Sequence, residues 1–480
     1  MIKGLHLRWL CAALLAVGAL SMTGRLPAQA QKANEKLPDA PPAPAFLLAE
    51  SAQTQSAPGT ASPPAAPAVA AGGPSLTRQQ AEQMAVQNNP RISVSKLLAL
   101  ASHQVVRETR SAELPTANAA LTGVEAEDAS RISAGSLTSS RLFTHSGAGG
   151  AFDQLITDFG RTANLVASSK LQEKAQNASA LATTEDIILA TDQAFYNALE
   201  AQALLRVAQQ NTATLSTTQT QVNQMTTNKL KSTLDLSIAN VNLSQAQLLE
   251  LDAENSRDST MAALDAVLGL DHSVTYNLVS EDSPLNPPPP DADQLVRLAL
   301  EQRPDLQVLN LDQQAAVKYS KAERDQKLPS ITTLGTAGIV PNRPGQYYLN
   351  SWWGGIGVNM NIPVFNGFLF SAQEQEAKLR AQAASEQSRD LRDNIVRDVR
   401  TTWLAANTAY RKVAVTEELL KQANLSLALA QTRYKLGLSS IVELSQVQYQ
   451  QIDAAIGNTN AQYQYRLSLA ALNYQIGATP

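Results

Sequence analysis

Cysteine is almost absent from this chain: Cys11 is the single one among 480 residues. Because it lies in an apolar N-terminal stretch that we expect to be removed, the mature protein should have no disulfide, no thiolate nucleophile and no cysteine-ligated metal. Histidine is scarce as well, and after that stretch it occurs only at His103, His145 and His272. No His, Asp or Glu group has metal-ligand spacing, so we predict no metal site and no cofactor.

An excess of one charge is also missing, because 38 basic and 42 acidic residues give a formal net charge of −4. Aromatic residues make up 5% of the chain, too few for a series of base-stacking platforms, and we exclude nucleic acid as a partner. The sequence has no phosphate-binding loop and no nucleophile elbow. We therefore expect no catalytic residues and no enzymatic activity.

The N-terminus has the pattern of a secretory signal peptide. Two basic residues precede an apolar run that ends at Met22, and the small-x-small sequence AQA, which ends at Ala30, supplies a cleavage site. We predict a signal peptide over residues 1–30. Residues 31–75 are rich in proline, alanine and serine and have no periodicity, so we predict a disordered tether there.

An internal repeat accounts for the remaining sequence. Pro90 and Pro115 recur with the same separation as Pro304 and Pro329, and in each copy the second proline follows a leucine. Repeats of this size define the organisation of a chain before any local motif does. We divide the chain into a first repeat, a proline-rich connector and a second repeat over residues 76–270, 271–293 and 294–480.

Each repeat is predicted to contain a helix, two extended segments, a very long helix and a second helix. Neither glycine nor proline occurs between Gly160 and Gly269, or between Gly367 and Gly437. A helix of ~70 residues is about 105 Å long and needs long neighbours, as in coiled-coil assemblies. Apolar residues recur at every fourth position along one face of the second long helix: Leu391, Ile395, Val399 and Trp403.

Four segments have the character of β-strands. The last of them alternates, with apolar residues such as Val358 and Met360 between the polar residues Asn359 and Asn361. A tilted strand needs about 9–11 residues to cross a bilayer, and the segments reach this length. They are Thr116–Glu127, Ser140–Asp158, Ser330–Val340 and Trp352–Phe365.

Four strands cannot close a membrane barrel, because the smallest such barrels have about eight. An open sheet edge in lipid leaves backbone groups unsatisfied, so the strands must join those of other copies. The aromatic residues Tyr347, Tyr348, Trp352 and Trp353 lie together at one strand end, as in an interfacial belt, which favours this hypothesis over a soluble four-stranded sheet. Asn359 and Asn361 should then face a water-filled lumen.

The stretch YKLGLSSIVEL, which begins at Tyr434, predicts a sharp helical hairpin. Gly437 can adopt the left-handed conformation that ends a helix. Ser440 and Glu443 have the S-x-x-E pattern of a capping box that begins the next helix. We therefore expect the chain to reverse at this point.

The first repeat has a similar stretch, with Ser232 and Asp235 at the capping positions. Lys229 occupies the position of the glycine, so we expect this turn to be less sharply defined. Glu443 and Asp235 have an ordinary structural interpretation, in which they only cap helices. A functional role can coexist with that one.

Together these features resemble TolC-type outer-membrane efflux proteins, the outer membrane factor family. The resemblance rests on the signal peptide, the duplicated halves, NNP and QRP followed by Leu-Pro, VFNG, and YKLGLSSIVEL, over about Ser75–Gly477. It implies a mainly α fold with β: duplicated long-helix hairpins forming a trimeric α-helical barrel, plus four strands per chain contributing to a shared 12-stranded transmembrane β-barrel.

The resemblance also implies a function. Such a protein is the outer-membrane exit duct of a tripartite efflux or type I secretion system, with its helical part in the periplasm. As a homotrimer in outer-membrane lipid it passively conducts substrates from a periplasmic adaptor (membrane fusion) protein and an inner-membrane pump. The alternative is a soluble periplasmic coiled-coil scaffold or adaptor protein, which should carry a lipoyl-like β domain instead of four strands of bilayer length.

Roles for individual residues follow from the resemblance alone. Tyr434, Glu443 and Asp235 match positions of the periplasmic gate, which holds the channel entrance shut. A second acidic position of the family is Gln446 here, so we do not expect a double carboxylate ring. Contact with the adaptor is implied for residues at the two turns: Gly437, Leu438, Ser439, Leu230 and Lys231.

Overall fold

The computed structural model describes residues 74–125, 145–272, 274, 276–279, 285–339 and 352–478. The predicted signal peptide, nearly all of the predicted tether, the outer ends of three predicted strands, and Tyr347 and Tyr348 lie outside these residues. Within the described part, the expected mainly helical chain with β-strands is confirmed, and the same order of helices and strands occurs twice.

The elements of the first half begin with a two-residue strand, β1 (Ser75–Leu76). Two short helices, two strands and two long helices follow: α1 (Arg78–Asn88), α2 (Pro90–Ser111), β2 (Thr116–Val124), β3 (His145–Thr157), α3 (Arg161–Thr227) and α4 (Thr233–Leu268). The strand β4 (Asn277–Leu278) then pairs with β1 in parallel and ties the N-terminal end to the connector.

The second half repeats this order. Its elements are α5 (Ala292–Gln302), α6 (Pro304–Asp325), β5 (Ser330–Ile339), β6 (Trp352–Asn361), α7 (Leu369–Lys435) and α8 (Ile441–Gln475). No helix in the described ranges combines the length and the apolarity that crossing a membrane requires.

Each half starts with two helices, where we predicted a single one. Proline causes the break, because its ring prevents the preceding residue from continuing a helix. Pro90 and Pro304 are instead the first residues of α2 and α6, where a missing N–H is harmless. The side chain of Asn89 caps α2 by accepting a hydrogen bond of 3.0 Å from the Arg91 N–H.

The long helices α3 and α7 have 67 residues each. At 1.5 Å per residue each extends about 100 Å, close to the expected length. Asp158 helps to begin α3, because its carboxylate accepts a hydrogen bond of 2.7 Å from the Thr162 N–H. In the half next to the strands α3 lies against α2 and α6, and in the other half it lies against α4 and α8.

The four long strands form one antiparallel sheet in the order β2-β3-β5-β6. The two repeats therefore meet at the β3–β5 pair, while β2 and β6 each have one edge with no partner strand among the described residues. The strands contain 9, 13, 10 and 10 residues and are shorter than the predicted segments, but each still reaches the ~9 residues that a tilted strand needs to cross a bilayer.

Strand β6 is exposed on both faces, and its alternation is as predicted. Ile356 and Val358 are 82% and 69% exposed, and every residue of the strand is exposed. The strand ends at Asn361, before the predicted end at Phe365, because Pro363 has no N–H to donate to a sheet.

Three apolar clusters hold the helices together. One lies around Phe195 and Leu264, where α1 meets α3 and α4. Another lies where α5 and α6 meet α7 and contains the predicted face of α7, Leu391, Ile395, Val399 and Trp403. The third lies at the far ends of the long helices, away from the sheet, around Val222 and Tyr434.

Candidate functional site at the helical turns

The turn between α7 and α8 has the predicted form. Gly437 adopts φ +72°. The Leu438 N–H donates a hydrogen bond of 2.8 Å to the Arg433 carbonyl, and the Gly437 N–H donates one of 3.1 Å to the Tyr434 carbonyl. This pattern satisfies two carbonyls that the end of a helix would leave without partners.

The turn between α3 and α4 is equally well defined, so the expectation of a looser turn is wrong. Lys229 adopts φ +59°, and the Leu230 N–H donates a hydrogen bond of 2.8 Å to the Met225 carbonyl. The left-handed conformation costs a residue with a side chain about 1–2 kcal/mol. The hydrogen bonds of the turn and the packing of the neighbouring helices offset this cost.

The capping box predicted at Ser440 and Glu443 is only half formed, whereas the one at Ser232 and Asp235 is complete. Ser232 and Asp235 form a complete capping box, because the Asp235 N–H donates to Ser232 Oγ at 3.2 Å and the Ser232 N–H donates to Asp235 Oδ2 at 3.4 Å. Ser440 caps α8 by accepting from the Glu443 N–H at 3.2 Å, but no reciprocal bond forms. The Glu443 carboxylate lies 3.5 Å from Arg433 Nε instead. The long side chain of Arg433 competes successfully for it.

This difference predicts different responses at the two acidic residues. Asp235→Ala removes a capping partner and should increase amide hydrogen exchange in the first turn of α4 about fivefold, corresponding to about 1 kcal/mol. Glu443→Ala removes only an exposed ion pair, worth about 0–1 kcal/mol, and should change exchange in α8 less. Equal increases at both sites would contradict this assignment of the capping roles.

Tyr434 is buried between the two hairpins. Tyr434 is 3% exposed and packs in a cluster with Val222 of α3, Ala239 of α4 and Leu444 of α8. Its hydroxyl has no hydrogen-bond partner among the described residues. Burial, and to a smaller extent the charge of Asp235, raises the pKa of Tyr434 above its ordinary value.

Lys231 joins the first turn to Tyr434. Its Nζ lies 4.5 Å from the centre of the Tyr434 ring, within the range of a cation–π contact. Lys231 was predicted only as an adaptor contact, and its position links the α3–α4 turn to α7.

Polar contacts further along the hairpins were not predicted. Asn242 Nδ2 donates a hydrogen bond of 2.7 Å to Ser445 Oγ, and Gln448 Nε2 donates one of 3.2 Å to Thr218 Oγ1. Gln448 is only 6% exposed. A buried amide on an otherwise apolar helix face is a signal for such a bond, but the sequence does not identify its partner.

The predicted adaptor contacts include two exposed leucines, one at each turn. Leu230 is 73% exposed and Leu438 is 66% exposed. Gly437 has open space where a Cβ would lie, with no atom within 4 Å, so the α7–α8 turn is not covered at this point by the described part of the same chain. No group of three metal-ligating side chains occurs in the described ranges.

The fold and these turns define a class of protein. Two hairpins lie side by side, each with one arm about 100 Å long and one about 50 Å long, and end in tight turns. At the opposite end the long arms continue into a sheet with two edges that are unpaired among the described residues. This is the architecture of one subunit of a channel whose wall is shared by several copies.

Comparisons with known proteins find similarity to outer-membrane efflux proteins. The sequence profile described as Outer membrane efflux protein matches residues 295–478. The chain is 24% identical over 315 residues to the outer membrane protein TolC of Vibrio cholerae, a match that covers 64% of this chain and 71% of that protein.

Solved structures show the same fold. A membrane protein from Pseudomonas aeruginosa has a TM-score of 0.74 and 21% identity, over 83% of this chain and 93% of that one. The CmeC outer membrane channel of Campylobacter jejuni has a TM-score of 0.71 and 18% identity, over 84% and 85% of the two chains.

Residues 295–478 match the family of outer membrane efflux proteins, and the chain as a whole is similar to TolC-type proteins in sequence and in fold. It is a bacterial outer-membrane protein with a periplasmic helical part, and it serves as an exit duct. The soluble scaffold hypothesis is not favoured. The family consists of transport proteins.

Proposed function

We propose that three copies of this chain form a passive exit duct that carries substrates from a periplasmic adaptor and an inner-membrane pump to the outside. The observation that carries this proposal is the pair of unpaired edges on the sheet, β2 and β6. Three sheets of four strands, joined from edge to edge, give a closed barrel of twelve strands with no exposed edge in the lipid.

Exposed apolar residues on the outer helices support the same assembly. In the half of the helices away from the sheet, the main contacts run from α4 to α3, from α3 to α8 and from α8 to α7, with a smaller contact between α4 and α8. Helices α4 and α7 therefore lie on the outside of this group. Leu234, Val241 and Leu248 recur at intervals of seven along α4 and are 66%, 56% and 62% exposed. A seven-residue interval suits a second long helix packed against α4, and α7 of the next copy is the partner we propose.

The lumen and lipid sides of the barrel follow from β6. Asn359 and Asn361 point to the side opposite Val358 and Met360, because successive side chains alternate across a strand. We assign the asparagines to the water-filled lumen and the apolar residues to the outer-membrane lipid.

We assign the periplasmic gate to Tyr434, Glu443 and Asp235. Tyr434 supports this role because its buried ring connects α7 to both helices of the first hairpin. Asp235 and Glu443 stabilise the helix starts and turns on either side of it. Opening of the entrance would require the two hairpins to separate at this cluster.

Substitution of Tyr434 tests the gate. Tyr434→Ala removes the ring from the cluster and should raise the conductance of the resting channel several-fold in planar lipid bilayers, because losing a buried aromatic side chain costs about 3–5 kcal/mol. Tyr434→Phe is the matched control and should leave the conductance unchanged, since the hydroxyl has no partner in the described residues. Equal conductance in all three proteins would contradict the gate assignment.

We assign the adaptor contact to the two turns, Gly437, Leu438 and Ser439 together with Leu230 and Lys231. Exposed apolar side chains at the ends of both hairpins support this role, because binding surfaces bury such groups on association.

Among the possible cargoes we favour efflux substrates over secreted proteins, since the matching family is one of efflux proteins.

The remaining segments are assigned from sequence. Residues 1–30 are proposed to be removed on export, residues 31–75 to form a tether, and residues 271–293 to connect the repeats 76–270 and 294–480. N-terminal sequencing of the protein recovered from the outer membrane checks the first assignment. A start at Gln31 is expected.

Restoration of efflux tests the proposed function. The chain is expressed with a cognate adaptor and pump in a Gram-negative strain that lacks its own exit duct. We expect resistance to an exported compound to return, and to be lost with Leu230→Asp and Leu438→Asp in one chain, while the amount of trimer stays the same. A strain that remains sensitive despite abundant trimer would contradict the proposal.

A further inference from the structure

A buried pair of acidic residues joins the N-terminal helix to the long helix of the first repeat. Glu82 on α1 is 7% exposed and Asp192 on α3 is 8% exposed. Arg78, one turn before Glu82, forms an ion pair with the Glu82 carboxylate, and its Nη1 lies 3.6 Å from Asp192 Oδ2. Two acidic groups therefore share one guanidinium at a buried position.

The hydrogen bonding of Asp192 is incomplete when both acids are ionised. Asp192 Oδ1 is buried and has no donor among the described residues. A proton on one of the two carboxyl groups supplies this donor, because a protonated carboxyl can donate to a carboxylate. The negative charge of Glu82 also disfavours ionisation of Asp192.

The surroundings offer little compensating charge. Apolar residues of α1, α3 and α4, among them Phe195 and Leu264, form the core next to the pair. Tyr196 of α3 and Tyr463 of α8 belong to the same core, and Asp265 of α4, next to Leu264, accepts a hydrogen bond from the Val274 N–H. Burial, followed by the hydrogen bond and the charge of Glu82, raises the pKa of Asp192 to about 7, although Arg78 opposes the shift.

We propose that Glu82 and Asp192 share one proton that fastens α1 to α3, and that loss of this proton loosens the N-terminal helix as the pH rises. Helix α1 is the link between the body of the protein and everything that precedes Arg78. The two-residue pair of β1 and β4 and the apolar packing of Leu76, Ala81 and Ala85 also attach this segment. The acid pair thus makes the docking of the N-terminal segment sensitive to the pH of the periplasm.

The direction and the pH range follow from linkage. An Asp192 carboxyl exposed to water by undocking has an ordinary pKa of about 4, whereas the docked one has the raised value. Docking is therefore strongest below about pH 4 and weakens by up to about tenfold per pH unit toward pH 7. Above the raised pKa of Asp192, the docking of α1 stays at its weakest level and no longer changes with pH.

A spin label on α1 tests the proposal in the full-length protein in detergent. Gln87 lies on the exposed face of α1, and Gln87→Cys combined with Cys11→Ser gives a single labelling site. The mobile fraction of a nitroxide at position 87 is measured between pH 4.5 and 9. We expect it to rise with pH in the otherwise wild-type chain and to level off above about pH 7.

Two variants separate the shared proton from other causes. Asp192→Asn provides a permanent N–H donor to Glu82, so the label should stay immobile at every pH. Glu82→Gln should also remove the pH dependence of the label mobility. If Asp192→Asn does not assemble, Glu82→Gln alone tests whether the shared proton is the cause. Asp258→Asn, at an acid of α4 whose side chain is 68% exposed, is the control and should leave the wild-type profile unchanged.

The proposal is wrong if the label on the wild-type chain is equally immobile across the whole pH range. It is also wrong if the mobile fraction rises with pH to the same extent in Asp192→Asn and Glu82→Gln as in the wild type. Neither result depends on channel activity, so this test and the test of the exit duct can fail separately.

Discussion

Arginine at Val358 is expected to destabilise the assembled barrel by about 2–4 kcal/mol, because a cation on the lipid face lies near the middle of the bilayer. Val358 is in the middle of β6, opposite Thr333 of β5, and its side chain is 69% exposed in the single chain. In the barrel that exposed surface would face hydrocarbon. The loss is measured as reduced resistance of the trimer to urea in lipid vesicles.

The neighbouring residue provides the control. Asn359 lies opposite Thr332 on the same two strands, but its side chain points to the other face of the sheet. Asn359→Arg places the same charge in water and should cost far less than Val358→Arg. If the two substitutions reduce urea resistance equally, the assignment of lipid and lumen faces is wrong.

Alanine at Gly269 is expected to cost about 2–5 kcal/mol, the sum of left-handed backbone strain and steric overlap. Gly269 ends α4 with φ +74°, and a Cβ there would lie 2.9 Å from the Asn88 carbonyl oxygen. That atom belongs to the backbone at the end of α1 and cannot move aside as a side chain can. Thermal unfolding of the detergent-solubilised protein measures the loss.

Gly437 is the matched control, because it has nearly the same conformation, φ +72°, and no atom within 4 Å of a Cβ position. Gly437→Ala should therefore show only the backbone strain, about 1–2 kcal/mol. Gly477 is intermediate, since a Cβ there would lie 3.3 Å from the Arg303 backbone nitrogen. Equal losses at Gly269 and Gly437 would show that contact with Asn88 contributes nothing.

The long helices and the strands were predictable because their signals are local. The absence of glycine and proline between Gly160 and Gly269 leaves nothing to end a helix except the turn at Lys229. The alternation around Val358 fixes a strand and its two faces without reference to other elements. Both features were found where the sequence predicts them.

The details of the turns were not predictable, because they depend on competition between side chains. Sequence patterns favour Glu443 over Asp235 as a capping partner, yet Arg433 draws the Glu443 carboxylate away. Lys229 adopts a conformation that the sequence disfavours, because the surrounding helices fix the turn. These outcomes follow from energy differences of about 1 kcal/mol, which a residue pattern cannot resolve.

The contacts between distant residues were not predictable from a single sequence. Arg78 and Glu82 have helical spacing and suggest an ordinary surface ion pair. Nothing in the sequence shows that Asp192 lies against them, or that Asn242 meets Ser445. The order β2-β3-β5-β6 is also a tertiary feature, since strand patterns show the faces of a strand but not its neighbours.

Cell fractionation combined with the mass of the purified protein in detergent tests the central claim most directly. The mature chain should be found in the outer membrane, and the protein part of its detergent complex should have three times the mass of one chain. That result would mean that β2 and β6 are closed by neighbouring copies. A soluble periplasmic monomer would contradict the exit duct, because the sheet would then have to exist with both edges open.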